Sequence, residues 1–428
     1  MKDALPVRAP GINIPSAGDT SFPPCTRLSN GVPVYMIGNG PEGLIRIEFV
    51  FDAGQRSEKI HLASAATNAM LTEGTELRDA ASINNLIDAT GALFSHTADK
   101  DSAGLVTVTL TRKLEEVMSL SQEVLFRPSF PEREFRMMKE KRMQAFLTAR
   151  QRTSVRAREE FYRALCGDET PYGRITRAED YASLSVSHLR DFHSANYIPG
   201  NMYITVAGRD PEQALPLLEK HFSGEGSGQW SKPDISLPKF GTARPGLIFC
   251  EVKDSVQSTV RVGWKSITRD HPDYLGLQVA TMLLGGYFGS RLMRKIREEK
   301  GFTYGIHAVA GAFHGIGYIV IMTDVATAFR EETLGEIRKE VARLQEEEVS
   351  SDELLVVRNH TMGEIARLFD GPFPAAEALK GIVDYDAGHD YYTMFAETVN
   401  SITPAKIKEL FNTYFKRDEA YEIIAGIA

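Results

Sequence analysis

Hydrophobic and polar positions alternate along residues 44–50. Ile45, Ile47 and Phe49 share one face and Arg46 and Glu48 the other, the period-two pattern of a half-buried strand. Residues 259–264 carry a matching pattern, and the runs 105–110 and 318–322 form a second pair of predicted strands. Helical periodicity ends in Ala69, Met70, Leu71, Thr72, Glu73 and Gly74, and again in Thr281, Met282, Leu283, Leu284, Gly285 and Gly286. Longer helical patterns cover about 132–165 and 325–347. Near the end of each half, Ser185, Leu189, Asp191 and Tyr197 recur as Thr403, Ile407, Glu409 and Phe415, at a constant offset of 218. Ser185 and Thr403 are N-cap types at the start of their helices. A strand then follows in both places, at 203–208 and 421–426.

One matched segment would be chance among amphipathic elements; several in the same order point to a duplication. Each half reads strand, helix, helix, strand, long helices, helix, strand. The strands outnumber simple crossover units, which predicts an α+β fold of two homologous lobes, each a largely antiparallel sheet with helices packed on one face. The expected division is 1–222 for the first lobe, 223–243 for a linker and 244–428 for the second. The Gly and Ser density of Ser223, Gly224, Gly226, Ser227, Gly228 and Ser231 marks the linker. Two such lobes would face each other across a cavity.

Composition narrows the function classes. Over 428 residues the chain is 43% hydrophobic and 25% charged, an ordinary globular balance. The net charge of −8 argues against a dedicated nucleic-acid partner. The longest apolar runs fall short of the roughly 18 residues a membrane helix needs, so no membrane partner is expected. Cys25, Cys166 and Cys250 are too far apart for a metal motif or a disulfide framework. The start Met1, Lys2, Asp3, Ala4, Leu5, Pro6 has no apolar signal-peptide core. The cytoplasm is the expected compartment, with the periplasm open to a chain whose signal was trimmed.

The familiar catalytic motifs are missing. No two of the ten histidines stand four apart, there is no Gly-x-Ser-x-Gly elbow, and Gly285, Gly286 and Gly289 lack a phosphate-loop lysine. One constellation stands apart. Leu292 and Ile296 fit a helix face, Gly301 is placed to end that helix in the left-handed conformation, and Tyr304 begins an extended segment. Arg297 and Tyr304 then project near the junction. A solvated basic helix end beside an ordinary strand aromatic explains the same residues without any function.

In their order these pieces resemble the pitrilysin/insulinase family of zinc peptidases (the inverzincins), in its short bacterial two-subunit branch. The matching pieces are 27–34, Gly54 to Glu58, Gly74-Thr75, Pro171 to Arg174, 201–208 and Ser290 to Tyr304, so the resemblance spans nearly the whole chain. The family's His-x-x-Glu-His, which ligates zinc and activates water, precedes a Gly-Thr by a few residues. Counting back from Gly74-Thr75 puts it on Ala65, Ala66, Thr67, Asn68 and Ala69. Both ligand positions are alanine and the general base is asparagine. The third ligand is due near Gln144, and no Glu lies between Glu140 and Glu159. The resemblance also implies that Arg297 and Tyr304 are the substrate-binding pair.

It therefore implies a zinc-less, substrate-binding subunit of a heterodimeric metallopeptidase acting on peptides, with zinc in a homologous partner chain that carries His-x-x-Glu-His. Without that partner, a surface shaped for a similar chain would accept a second copy of itself. The alternatives are a non-enzymatic scaffold or peptide-binding protein of the same fold, and an active zinc-dependent peptidase with atypical ligands.

Overall fold

The computed structural model describes residues 20, 22, 24–38, 40, 43–224, 240, 241 and 243–428. Most of the expected linker lies outside them. The first half supplies strands β1 (Thr26–Arg27), β2 (Pro33–Ile37), β3 (Leu44–Phe51), β4 (Leu93–Ala98), β5 (Ala103–Leu110) and β6 (Met202–Gly208). Its helices are α1 (Ala63–Met70), α2 (Ala80–Thr90), α3 (Leu114–Phe126), α4 (Glu132–Ala149), α5 (Thr153–Cys166), α6 (Ala178–Ser183), α7 (Val186–Asn196) and α8 (Leu215–Phe222). The second half supplies β7 (Gly246–Glu251), β8 (Gln257–Ser266), β9 (Thr303–Phe313), β10 (Ile316–Ala326) and β11 (Tyr421–Gly426). Its helices are α9 (Tyr274–Thr281), α10 (Arg330–Glu346), α11 (Ser351–Leu368), α12 (Pro372–Tyr385), α13 (Tyr391–Ser401) and α14 (Pro404–Tyr414).

The two sheets have one topology. Their orders are β1-β2-β6-β3-β5-β4 and β7-β11-β8-β10-β9. In each, one parallel pair (β2 with β6, β7 with β11) joins an otherwise antiparallel array. The registers correspond as well. Tyr203 lies opposite Val50 and Tyr421 opposite Gly263, so Ile47, Phe49 and Phe51 occupy the places of Val260, Val262 and Trp264. All six are buried in the core of their own half. The α+β reading with two homologous, largely antiparallel sheets holds.

The long helices pair differently from the expectation. The strand β10 runs to Ala326, so the helix expected from 325 starts at Arg330, after a 3-10 turn over Thr327–Phe329. By position, α10 is the partner of α3, which also follows a 3-10 turn (Thr111–Lys113) after its strand. The pattern at 132–165 is two helices, α4 and α5, broken at Arg150, Gln151 and Arg152. Charged residues hid the break, because the apolar period continues across it.

Each lobe's own helices cover one face of its sheet, and a helix from the other half covers part of the opposite face. The helix α5 buries Ala157, Phe161, Ala164 and Leu165 against Val320, Ile423 and Ala425 of the second sheet. In return α12 buries Ala375, Ala376 and Leu379 against Ile37 and Ala207 of the first. Gly263 makes the first exchange possible. A Cβ there would stand 2.3 Å from the Ile319 carbonyl oxygen and 2.5 Å from the Phe161 ring. Phe161 therefore lies over a gap in the pleat.

With one helix shared in each direction, neither half has a complete core alone. Phe161→Ala should cost about 3–5 kcal/mol, the range for emptying a buried aromatic site. It should lower the midpoint of a single transition in denaturant titration. Two separate transitions, with only one shifted by the variant, would contradict the shared core.

Candidate functional site

Ala65, Asn68 and Ala69, the positions the resemblance assigned to the degenerate motif, lie on α1. Ala65 and Ala69 are partly exposed and offer no lone pair. Asn68 is buried, and its Nδ2 donates to the Gly104 carbonyl at 2.9 Å and to the Tyr197 hydroxyl at 3.0 Å. The amide ties α1 to β5 and to the end of α7, a structural engagement. Gln144, at the expected third position, is exposed on α4. This donor set does not fit a zinc ion. The nearest carboxylate on α4, Glu140, is about one turn before Gln144, and the neighbouring Arg142 is a cation.

Next to this helix lies His96 on β4. Its Nε2 is 3.0 Å from Thr72 Oγ1, and its Nδ1 is buried without a partner. Burial, and secondarily the Arg142 guanidinium, lower its pKa from 6.5 to about 4. Protonation would leave a second buried N–H unpaired, which is the physical reason the neutral ring is favoured.

The amino end of α1 is built by a short polar chain. The buried Glu58 carboxylate accepts from the Leu62 N–H through Oε1 and from the Ser64 N–H through Oε2, both at 3.1 Å. His61, buried, places Nδ1 2.8 Å from Glu58 Oε1 and Nε2 2.9 Å from Thr176 Oγ1. Glu58, His61, Thr176 and Ala65 line a cavity of about 480 Å³, closed from the second half by Phe313. Lys100, Arg158 and Glu159 complete its charged wall. Burial pulls Lys100 below the usual lysine range and pushes Glu159 above the usual carboxylate range. Sequence inspection passed over this group because Thr176 is 115 residues from His61. The three-residue spacing of Glu58 and His61 ahead of a helix start was its one local signal.

In the second lobe the structure brings Arg297 and Tyr304 together. Gly301 has φ +67°, the left-handed helix end expected of it. The helical turn before it, Met293–Glu299, is π-helical, as is Met282–Gly286. Such segments are rare and often lie at functional sites. The chain reverses at Gly301 and enters β9, the edge strand of the second sheet. Arg297 Nε donates to the Tyr304 carbonyl at 3.1 Å, and its guanidinium stacks 4.4 Å from the centre of the Phe288 ring. The contact runs through the Tyr304 backbone, which leaves its phenol 93% exposed. Neither Arg297 nor Tyr304 lines the cavity beside Ala65. Phe288, also exposed, was not anticipated as part of this group.

These features define a two-lobed α+β fold whose α1 carries no metal donors at Ala65 and Ala69. Residues 183–360 match the family model of the peptidase M16 inactive domain. The protein named uncharacterized zinc protease YmxG of Bacillus subtilis is 22% identical over 328 residues, covering 76% of this chain and 79% of that one. Cytochrome b-c1 complex subunit 1 of Bos taurus is 25% identical over 252 residues, 55% of this chain and 50% of the relative. The crystal structure of a peptidase M16 inactive domain from Pseudomonas fluorescens superposes with a TM-score of 0.85 at 23% identity, covering 94% of this chain and 97% of that one. Residues 183–360 thus match the peptidase M16 inactive domain, in agreement with the resemblance read from the motifs.

Two expectations follow. Elemental analysis of the purified chain should find no stoichiometric zinc; about one tightly held zinc per chain would contradict the assignment of Ala65, Asn68 and Ala69. The second concerns His96. Below pH 6.5 the unfolded chain takes up this proton before the folded one does, so the site's contribution to stability declines as pH falls from 6.5 to about 4. Above that window it is constant. His96→Gln should flatten the fall in urea midpoint between pH 7 and pH 4.5.

Proposed function

We propose that the chain is the substrate-binding, zinc-less subunit of a heterodimeric metallopeptidase that acts on peptides. The single observation that carries this reading is the contrast between the two lobes. The α1 positions have lost their metal donors, yet Arg297 and Tyr304 stand together at an exposed sheet edge. A peptide bound as an added strand presents carbonyls that need donors. Arg297 uses Nε on its own chain, and its Nη groups remain for a ligand, with Glu298 4.0 Å from Nη1. The exposed Tyr304 hydroxyl adds a further donor. Set opposite a partner's zinc, the pair would hold the peptide backbone and stabilise charge developing on the scissile carbonyl.

A second reading is a scaffold of the same fold. It is favoured by the relative whose printed name makes it a subunit of the cytochrome b-c1 complex. A partner carrying His-x-x-Glu-His decides between the two.

With that partner, Arg297→Ala and Tyr304→Phe should leave assembly intact and reduce peptidase activity by roughly tenfold to a thousandfold, the range for losing a charged or oxyanion-type donor. A loss mainly in kcat assigns transition-state stabilisation; a rise in KM alone assigns peptide binding. Arg294→Ala is the control, since Arg294 is paired with Glu353 at 3.4 Å. Full activity in both variants contradicts the proposal.

A further inference from the structure

The geometry points to a second, metal-independent site: we propose that Glu58, His61 and Thr176 form a carboxylate–base–nucleophile relay, and that Thr176 Oγ1 is an activated nucleophile toward acyl and phosphonyl electrophiles entering the cavity beside Ala65. This goes beyond the subunit reading and does not depend on it.

The argument begins with hydrogen positions. Glu58 receives backbone N–H groups from Leu62 and Ser64, and backbone N–H groups only donate. It sits ahead of the amino end of α1, where an anion is favoured. Gln55 Nε2 lies 3.4 Å from His61 Nδ1, but the Glu58 contact is far shorter at 2.8 Å, and a carboxylate only accepts, so the proton is assigned to Nδ1. That sets the tautomer. In the neutral ring the other nitrogen, Nε2, carries a lone pair, and Thr176 Oγ1 at 2.9 Å donates to it. In that tautomer the hydrogens run in the order that activates a hydroxyl. The His61 side chain is 3% exposed, so its ring is held in this orientation.

The same bonds would also pin the loop before α6 to the start of α1. Two features go beyond that need. Thr176 is not sealed: it is partly exposed and lines the cavity of about 480 Å³ together with His61. The cavity also holds a cation with donor capacity left. Lys100 Nζ donates to Gln55 Oε1 at 2.6 Å and to the Pro171 carbonyl at 3.3 Å, which leaves the third of its N–H bonds for an oxyanion. Arg158 and Arg174 add positive charge to the same wall.

With an ester, Thr176 Oγ1 forms a bond to the carbonyl carbon as the π pair moves onto the carbonyl oxygen, and the hydroxyl proton passes to His61 Nε2. The imidazolium is then stabilised by Glu58. Collapse of the adduct breaks the bond to the alcohol oxygen, which leaves with the proton from Nε2. Water then attacks the acyl–Thr176 ester by the same route, releasing the carboxylic acid and restoring the hydroxyl. The sum is ester plus water giving acid plus alcohol, with no metal or redox partner. A phosphonyl fluoride stops after the first displacement, losing fluoride and its proton and leaving a stable adduct.

The test uses the full chain with a fluorophosphonate probe in the presence of a chelator, read by intact mass and peptide mapping. The expected result is one adduct, on Thr176, formed by the folded chain and lost in urea. His61→Gln should slow labelling by roughly a hundredfold, as for removing a general base, and Glu58→Gln should slow it as well. Thr176→Ser, with a less hindered hydroxyl, should label at least as fast as the parent chain. Folding of each variant is checked by thermal melting. No adduct on the folded parent chain overturns the proposal, whatever the variants do. An adduct at another residue, or an undiminished rate in a folded His61→Gln chain, overturns it too.

Discussion

The exchange of α5 and α12 between the halves is the constraint on which the other features depend. Each sheet has its own helices on one face and would leave strand side chains on the other face in water. Phe161 and Leu165 close the second sheet, and Ala376 and Leu379 close the first. The two contacts differ in character. The α5 contact is largely apolar and relies on the missing side chain at Gly263. The α12 contact has a polar rim, in which Lys380 donates to Asp384 and Ser102 and the Tyr203 hydroxyl donates to Asp384. Arg46 lies beneath it, bonded to Glu48 and Glu377. Buried charges are tolerated only when paired, and broken pairs are costly, so this rim restricts how the lobes dock.

The docking sets the walls of the cavities. The space beside Ala65 is bounded by α1, by Arg158, Glu159 and Tyr162 of the exchanged helix, and by Phe313 of the second sheet. A smaller cavity of about 240 Å³ lies at the α12 side, between Asp52, Tyr203, His314 and Asp384. The helix α1, with alanines at 65 and 69, therefore borders a charged cavity. Its own stability comes from Asn68, which binds β5 and Tyr197, and from Glu58 at its amino end. Side chains that do this cannot also serve a metal.

The second lobe solves a different problem. The segment from Met282 to Tyr304 must end one helix, turn, wind a second and enter an edge strand. It does so with two π-helical stretches and the left-handed Gly301. Arg297 closes the turn by binding the Tyr304 carbonyl and covering the Phe288 ring. The result is an arginine restrained by its own chain and an exposed phenol on the edge strand β9.

Much of this was legible along the chain because its causes are local. Alternation at Ile45, Ile47 and Phe49 shows one face of a strand must be buried, Thr403 caps its helix by accepting from the Lys406 N–H, and Gly301 acts through its own backbone, whereas Ser185 makes no side-chain cap bond. The repeated order of elements carried the two-lobed α+β fold, and Ala65, Asn68 and Ala69 announced by their chemistry that no zinc ligands stand there. The pairing of the long helices was misjudged, because apolar periodicity runs on through the break at Arg150, Gln151 and Arg152 and does not register it. The exchange of α5 and α12 was out of reach for another reason: an apolar helix face does not name the surface it will cover. The relay from Glu58 through His61 to Thr176 was equally hidden. A hydrogen-bond chain is a matter of distance in space, and only the folding of the 167–177 loop onto the start of α1 closes the last 2.9 Å. Sequence determined which elements form and which chemistry they lack; tertiary structure decided which faces meet and which distant groups share a proton.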